Sequence, residues 1–131
     1  MALADILTDH PVKATFDLAE LTQACRACLA CAVACTALSD SDPSRNNASS
    51  LSECIRLCID CAEVCDATAT VLSRPSPRSS PWEKLVLACM AICVECAREC
   101  STHEHVCCAE CAEACRSCEQ ALAHLLAFAQ K

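Results

Sequence analysis

Glycine and tyrosine are absent from this chain, and two Phe and one Trp are its only Phe, Trp or Tyr residues. Strands favour aromatic and β-branched side chains, so this scarcity argues against a sheet. The abundant Ala, Leu and Cys argue instead for an all-helical fold. Positive charge is also in short supply, the formal net charge being −7. With no basic patch and no aromatic platform in view, the sequence argues against nucleic-acid binding. No apolar run approaches a membrane span. The start, Met1-Ala2-Leu3-Ala4-Asp5, lacks the basic segment and following apolar segment of a secretory signal. A cytosolic location follows as the default, and one domain over residues 1–131 is the expectation at this length.

What the chain has in excess is cysteine, at 17 residues. In a reducing compartment so many cysteines read as metal ligands rather than disulfides. All but Cys107 fall into four runs: Cys25-Cys28-Cys31-Cys35, Cys54-Cys58-Cys61-Cys65, Cys89-Cys93-Cys96-Cys100 and Cys108-Cys111-Cys115-Cys118. Every step is three or four residues, which keeps side chains on one face of an α-helix. The runs predict four helices, each carrying a thiol stripe where an apolar stripe ordinarily faces the core. Such a core is itself a metal-binding volume.

The first of these helices is predicted to start near Pro11, a residue suited to a first turn, and to run to about Leu38. Ser39–Asn47 reads as a polar loop. Ser50 and Glu53 make a capping box for the second helix, which ends near Ser73. Arg74–Ser79 is a linker. Ser80-Pro81-Trp82-Glu83 opens the third helix, which ends near Cys100. A tight turn at Ser101-Thr102-His103-Glu104 leads into the fourth, which lasts to about Ala129.

Antiparallel neighbours pair residues in opposite numerical order, and all four runs allow such pairing. The first and second helices match Cys35 with Cys54, Cys31 with Cys58, Cys28 with Cys61 and Cys25 with Cys65. The second and third match Cys54 with Cys100, Cys58 with Cys96, Cys61 with Cys93 and Cys65 with Cys89. The third and fourth match Cys100 with Cys108, Cys96 with Cys111, Cys93 with Cys115 and Cys89 with Cys118. The first and fourth then match Cys35 with Cys108, Cys31 with Cys111, Cys28 with Cys115 and Cys25 with Cys118. The expected architecture is an up-down-up-down four-helix bundle. Its cysteines form four layers of four, about 5 Å apart at 1.5 Å rise per residue. Beyond Cys25 and Cys118 lie Leu18, Leu21, Leu72, Trp82, Val86, Leu122 and Leu125, an apolar plug. Beyond Cys35 and Cys100, Leu51 pairs with His103 and Leu38 with His105, next to Cys107; this end reads as the mouth.

A buried cysteine can act simply as a small hydrophobe, a reading suited to one or two residues rather than to sixteen in register. The first run resembles a bacterial iron–sulfur spacing. Thr36 stands where that motif has Pro, however, and the other runs do not share the spacing. Zinc is the harder rival, since each layer offers four thiolates. Zn²⁺ with four thiolates carries −2, so four layers would bury roughly −8 without compensation. Two-coordinate Cu(I) shared among bridging thiolates allows about one ion per cysteine in a nearly neutral core, and soft thiolates select Cu(I).

At these residues the chain resembles the Csp copper storage proteins, in particular the cytosolic branch that lacks an export signal. The repeated Cys-x3-Cys-x2-Cys-x3-Cys of Cys54–Cys65 and Cys89–Cys100 is the specific part of the likeness. The resemblance implies a homotetramer of four-helix bundles, each storing many Cu(I) ions, with a copper donor or acceptor as partner. It gives the sixteen layered cysteines the core ligand role. It matches His103 and His105 to entry-end histidines, with Cys107 beside them. Other residues read plainly. His10 and His124 are surface residues, Met90 is core packing, and Asp60, Glu95 and Glu110 are solvated flanks. Ile59, Leu87 and Val94 point outward and suggest bundle–bundle contact. The expectation is a binding protein, not an enzyme. The alternatives are a zinc–thiolate store and a thiol redox protein using Cys107.

Overall fold

The computed structural model describes residues 3–9, 17–40, 48–74 and 80–127. Among them all regular structure is α-helical, in five helices: α1 Leu3–Thr8, α2 Leu18–Ser39, α3 Ala48–Leu72, α4 Ser80–Cys100 and α5 Val106–Ala127. The four long helices are those the cysteine runs predict. The six-residue α1 is additional. A helix this short does not persist alone, and it is held by burying Leu7 against the rest, packed on α2.

Most helix ends differ from expectation by one to a few residues; the start of α2 differs by more. α2 opens on Asp17, whose Oδ1 accepts from the backbone N–H groups of Ala19 (2.8 Å) and Glu20 (3.2 Å). This is the ordinary N-cap device. The start expected near Pro11 is thus corrected: α2 begins at Leu18, because Asp17 is extended (φ −61°, ψ 130°) and caps the helix there. Pro11 itself and the loop at residues 41–47 lie outside the described residues. α3 begins at Ala48, so Ser50 sits inside its first turn rather than ahead of it. α4 likewise includes Ser80, and linker residues 75–79 lie outside the description. α4 ends at Cys100 as expected, and the following turn is fixed by Thr102 N–H to Glu99 O (3.1 Å) and His103 N–H to Cys100 O (3.2 Å). α5 is described to Ala127, short of the expected Ala129.

α2 and α4 each pack against both α3 and α5. Among the described residues no backbone contact joins α2 to α4 or α3 to α5, so the long helices close a ring. The axis of that ring is filled by cysteine: every one of the sixteen stripe residues is buried, at 0–1% exposure. Leu21, Leu72, Trp82, Val86, Leu122 and Leu125 are buried too, as the plug requires. Leu18 is not part of the plug. As the first residue of α2 it has no preceding turn to cover it, and it is exposed. Two buried threonines satisfy themselves within their helices: Thr22 Oγ1 donates to Leu18 O (2.9 Å) and Thr68 Oγ1 to Val64 O (2.7 Å).

One expectation about hydropathy fails. α2 is long and apolar enough to cross a membrane by length and composition, with mean hydropathy 1.5. The value comes largely from cysteine and alanine, and half of the segment is buried inside the ring, as in a core helix. Ile59, Leu87 and Val94 are exposed as expected, but so are Leu29 and Val33 on α2. The outer apolar surface therefore extends beyond α3 and α4.

Because the cysteines pack as neutral hydrophobes and the plug is ordinary core, the metal-free, reduced protein should give a helical far-UV circular dichroism spectrum. A coil that turned helical only on metal addition would contradict this. Leu122→Ala should cost about 2–5 kcal/mol in chemical denaturation of the metal-free protein.

Candidate metal centre

Sulfurs of α3 and α4 meet in the expected order. Cys54 and Cys100 lie 3.2 Å apart, Cys58 and Cys96 3.5 Å, Cys61 and Cys93 3.9 Å, and Cys65 and Cys89 3.7 Å. Across α2 and α5 the order is displaced by one cysteine. Cys35 meets Cys111 at 3.3 Å, Cys31 meets Cys115 at 3.6 Å and Cys28 meets Cys118 at 3.6 Å. Against α3, Cys31 meets Cys61 at 3.9 Å rather than Cys58. The four layers of four are thus corrected, because α2 has slid one step towards the plug.

Two physical reasons favour the slide. In the observed register the steps from Cys28 to Cys31 to Cys35 match those from Cys118 to Cys115 to Cys111, three facing three and four facing four. The expected register sets a three against a four. The slide also draws Leu38 from the mouth into the core, at 1% exposure, while Leu21 stays fully buried. Burying a leucine is worth roughly 1.5–3 kcal/mol. Cys25 is carried past the other thiols into the plug, where its Sγ faces Ala69 O at 3.9 Å.

The sulfurs form overlapping groups, each within 4.8 Å: Cys31, Cys65, Cys93 and Cys118; Cys31, Cys35, Cys61 and Cys115; Cys35, Cys58, Cys96 and Cys111. Two groups of three extend the column, Cys28, Cys89 and Cys118 at one end and Cys54, Cys58 and Cys100 at the other. Cys31, Cys35, Cys58 and Cys118 each belong to two groups. The arrangement is a continuous sulfur column rather than four separate tetrads. A two-coordinate ion holds its sulfurs about twice a metal–thiolate bond apart, roughly 4.6 Å for bonds of about 2.3 Å. The facing sulfurs lie within that span, from 3.2 Å for Cys54 and Cys100 to 3.9 Å for Cys61 and Cys93.

The electrostatics follow from burial. The buried polar residues among those described are Thr22 and Thr68, so no cation offsets thiolate charge in the core. Burial pushes Cys25 up to about 11 and Cys108 to about 12, the latter with added repulsion from Cys54 and Cys107. Inside the column each sulfur leans on its neighbours. Hydrogen bonding with Cys115 and others holds Cys31 low, and Cys35 is pushed high, first through Cys111. The thiolate left when one sulfur loses its proton is thus stabilised by the protons kept on others.

At the mouth, Cys108 has Cys54 and Cys107 as neighbours, and Cys107 is half-buried. The His105 carbonyl accepts from Cys108 and Ala109 N–H, both at 3.1 Å, and so opens α5. His103 is half-buried, with Nε2 2.8 Å from Glu99 Oε2. Neither histidine belongs to a sulfur group. Glu99 does not stand out in the sequence; its signal is the four-residue spacing to His103 across the end of α4. The side chain of Leu51 and all of His10 lie outside the description. His124 is exposed and Met90 half-buried. Asp60 and Glu95 pair with Arg56 and Arg98 on the surface, where such pairs are worth little.

The family model of the Csp copper storage proteins matches residues 17–127. Among solved structures, the copper storage protein Ccsp from Streptomyces lividans loaded with 10 copper equivalents is 41% identical, with a TM-score of 0.90 over 96% of this chain and 98% of that one. A cytosolic copper storage protein from Streptomyces lividans with five coppers is 44% identical, with a TM-score of 0.78 over 83% and 93% of the two chains. No curated protein matches.

Two outcomes are expected from this geometry. A thiol whose folded pKa is raised contributes stability that is present below its unfolded pKa and lost as pH rises towards the folded value. The metal-free protein should therefore lose thermal stability as pH rises above about 9 under anaerobic conditions, Cys25 contributing up to about 11 and Cys108 up to about 12, and Cys25→Ala should lessen that loss. Cys25→Ala should also reduce copper capacity less than Cys31→Ala, since Cys25 belongs to no sulfur group and Cys31 to two. Equal losses in an anaerobic Cu(I) titration with metal analysis would reject the displaced register as the one that binds metal.

Proposed function

From the premise that the chain belongs to the Csp copper storage proteins, we propose that it is a cytosolic store and buffer of Cu(I). The observation that carries this reading is the overlap of the sulfur groups at Cys31, Cys35, Cys58 and Cys118. Shared sulfurs suit bridging thiolates, with about one monovalent ion per thiolate and little net buried charge. Separate zinc tetrads would bury uncompensated negative charge with no buried cation to meet it.

In this reading residues 1–131 form one domain, its long helices running up-down-up-down. The stripe cysteines are the ligands: Cys25, Cys28, Cys31 and Cys35; Cys54, Cys58, Cys61 and Cys65; Cys89, Cys93, Cys96 and Cys100; Cys108, Cys111, Cys115 and Cys118. Cys25 and Cys108 are the weakest members of the set, since neither belongs to a sulfur group. Cu(I) enters past His103, His105 and Cys107, because the other end is closed by Leu21, Leu72, Trp82, Leu122 and Leu125. It passes from thiolate to thiolate and displaces protons as it goes. No catalytic cycle is involved, and the partners are a copper donor or acceptor and further copies of the chain in a homotetramer. The outward apolar residues Leu29, Val33, Ile59, Leu87 and Val94 support the assembly.

Anaerobic titration should saturate at about one Cu(I) per cysteine; saturation near four would favour isolated four-thiolate sites. Replacing His103 and His105 with Phe should slow stopped-flow transfer from a Cu(I) chelate with little change in the final count. Unchanged rates, with faster loading after polar substitutions in the plug, would reverse the assignment of the two ends.

A further inference from the structure

We propose that Glu99 is the positioning residue of the mouth: it fixes the tautomer of His103 so that Nδ1 faces incoming Cu(I) as a free lone pair. This rests on reading the His-bearing end as the entry. The contact is short, 2.8 Å from His103 Nε2 to Glu99 Oε2, and sheltered, the two side chains being 14% and 28% exposed. It thus differs from the Arg98–Glu95 pair on the same helix, where the side chains are 66% and 59% exposed.

The local backbone holds both partners in place. Glu99 is the next-to-last residue of α4. Its carbonyl accepts from Thr102 N–H (3.1 Å) and Thr102 Oγ1 (2.7 Å), and its Oε2 also lies 3.5 Å from that hydroxyl. The backbone N–H of His103 donates to Cys100 O at 3.2 Å, so its main chain is tied to the residue whose sulfur belongs to the outermost group with Cys54 and Cys58.

The chemistry then has one consistent assignment. A carboxylate only accepts, so the Nε2 facing it carries the hydrogen. In the neutral ring Nδ1 is then the acceptor, able to hold a soft cation. A carboxylate that receives the far N–H of a ligating imidazole both fixes the ring and raises its basicity. Glu99 touches no metal in this scheme; it acts through His103.

The test reads tautomer and rate separately. In the metal-free, reduced protein, ¹⁵N shifts of His103, assigned by comparison with His103→Ala, should show Nε2 protonated and Nδ1 bare. Glu99→Ala should give a tautomer mixture, while Glu99→Gln, whose side-chain oxygen still accepts, should keep the original form. In stopped-flow transfer from a Cu(I) chelate, Glu99→Ala and His103→Ala should each be slower by roughly tenfold, the lower end of what losing such a partner costs. Glu99→Gln should stay near the unaltered rate. The double variant should be no slower than His103→Ala alone, as expected for residues acting as one unit. An unaltered rate in Glu99→Ala beside a slow His103→Ala would overturn the proposal and leave the entry assignment standing. So would a Glu99→Gln variant as slow as Glu99→Ala. A His103→Ala variant loading at the unaltered rate would remove the entry assignment, and the role of Glu99 with it.

Discussion

A neutral thiol packs in a protein core at little cost, whereas a thiolate in the same place needs a positive partner. The core of this bundle holds sixteen cysteines at 0–1% exposure and no buried cation among the described residues. It is thus built to be apolar when its sulfurs are protonated and to accept positive charge when they are not. The upward displacement of Cys25 and Cys108 by burial expresses the same constraint: protons leave the column only as something cationic replaces them. A monovalent ion shared between thiolates meets that condition sulfur by sulfur. A divalent ion in each tetrad does not.

The displacement of α2 turns stacked layers into a column. Had the cysteines formed four flat tetrads, each could have acted alone. With α2 moved by one step, Cys31, Cys35, Cys58 and Cys118 belong to two groups each, and a path of sulfurs a few ångströms apart joins the Cys28 end to the Cys54 end. A position vacated by one sulfur is always within reach of the next. That geometry suits movement by ligand exchange, in which an ion is never released into a space that cannot solvate it.

Much of this architecture is legible in the amino-acid sequence. Steps of three and four place cysteines on one helical face whatever the helix packs against, so four helices with buried sulfur stripes follow from spacing alone. The α3–α4 register is legible because Cys54–Cys65 and Cys89–Cys100 carry the same spacing. The α2 register is not, since the steps of Cys25–Cys35 tolerate two alignments when only sulfurs are counted. The burial of Leu38 and the match of equal steps decide between them. α1 is too short to show a period and is held only by where Leu7 lands. Glu99 reads in the sequence as one more surface acid, and acquires a partner only through the turn that ends α4.

The two ends of the column are closed by different chemistry, and in the proposed reading the difference gives the bundle a direction. At the plug, Leu21, Leu72, Trp82 and Leu125 are buried and offer no donor to an ion beyond Cys25. An ion there would lose its thiolates and gain nothing in exchange. At the other end, the half-buried Cys107 and Cys54 both neighbour Cys108, and His103 and His105 lie on the turn that joins Cys100 to α5. In the proposed reading, each step inward there passes the ion from one candidate ligand to another. Four helices with thiol stripes would give a container open at either end. In the proposed reading, the leucines and tryptophan below and the histidines above make one of those openings passable.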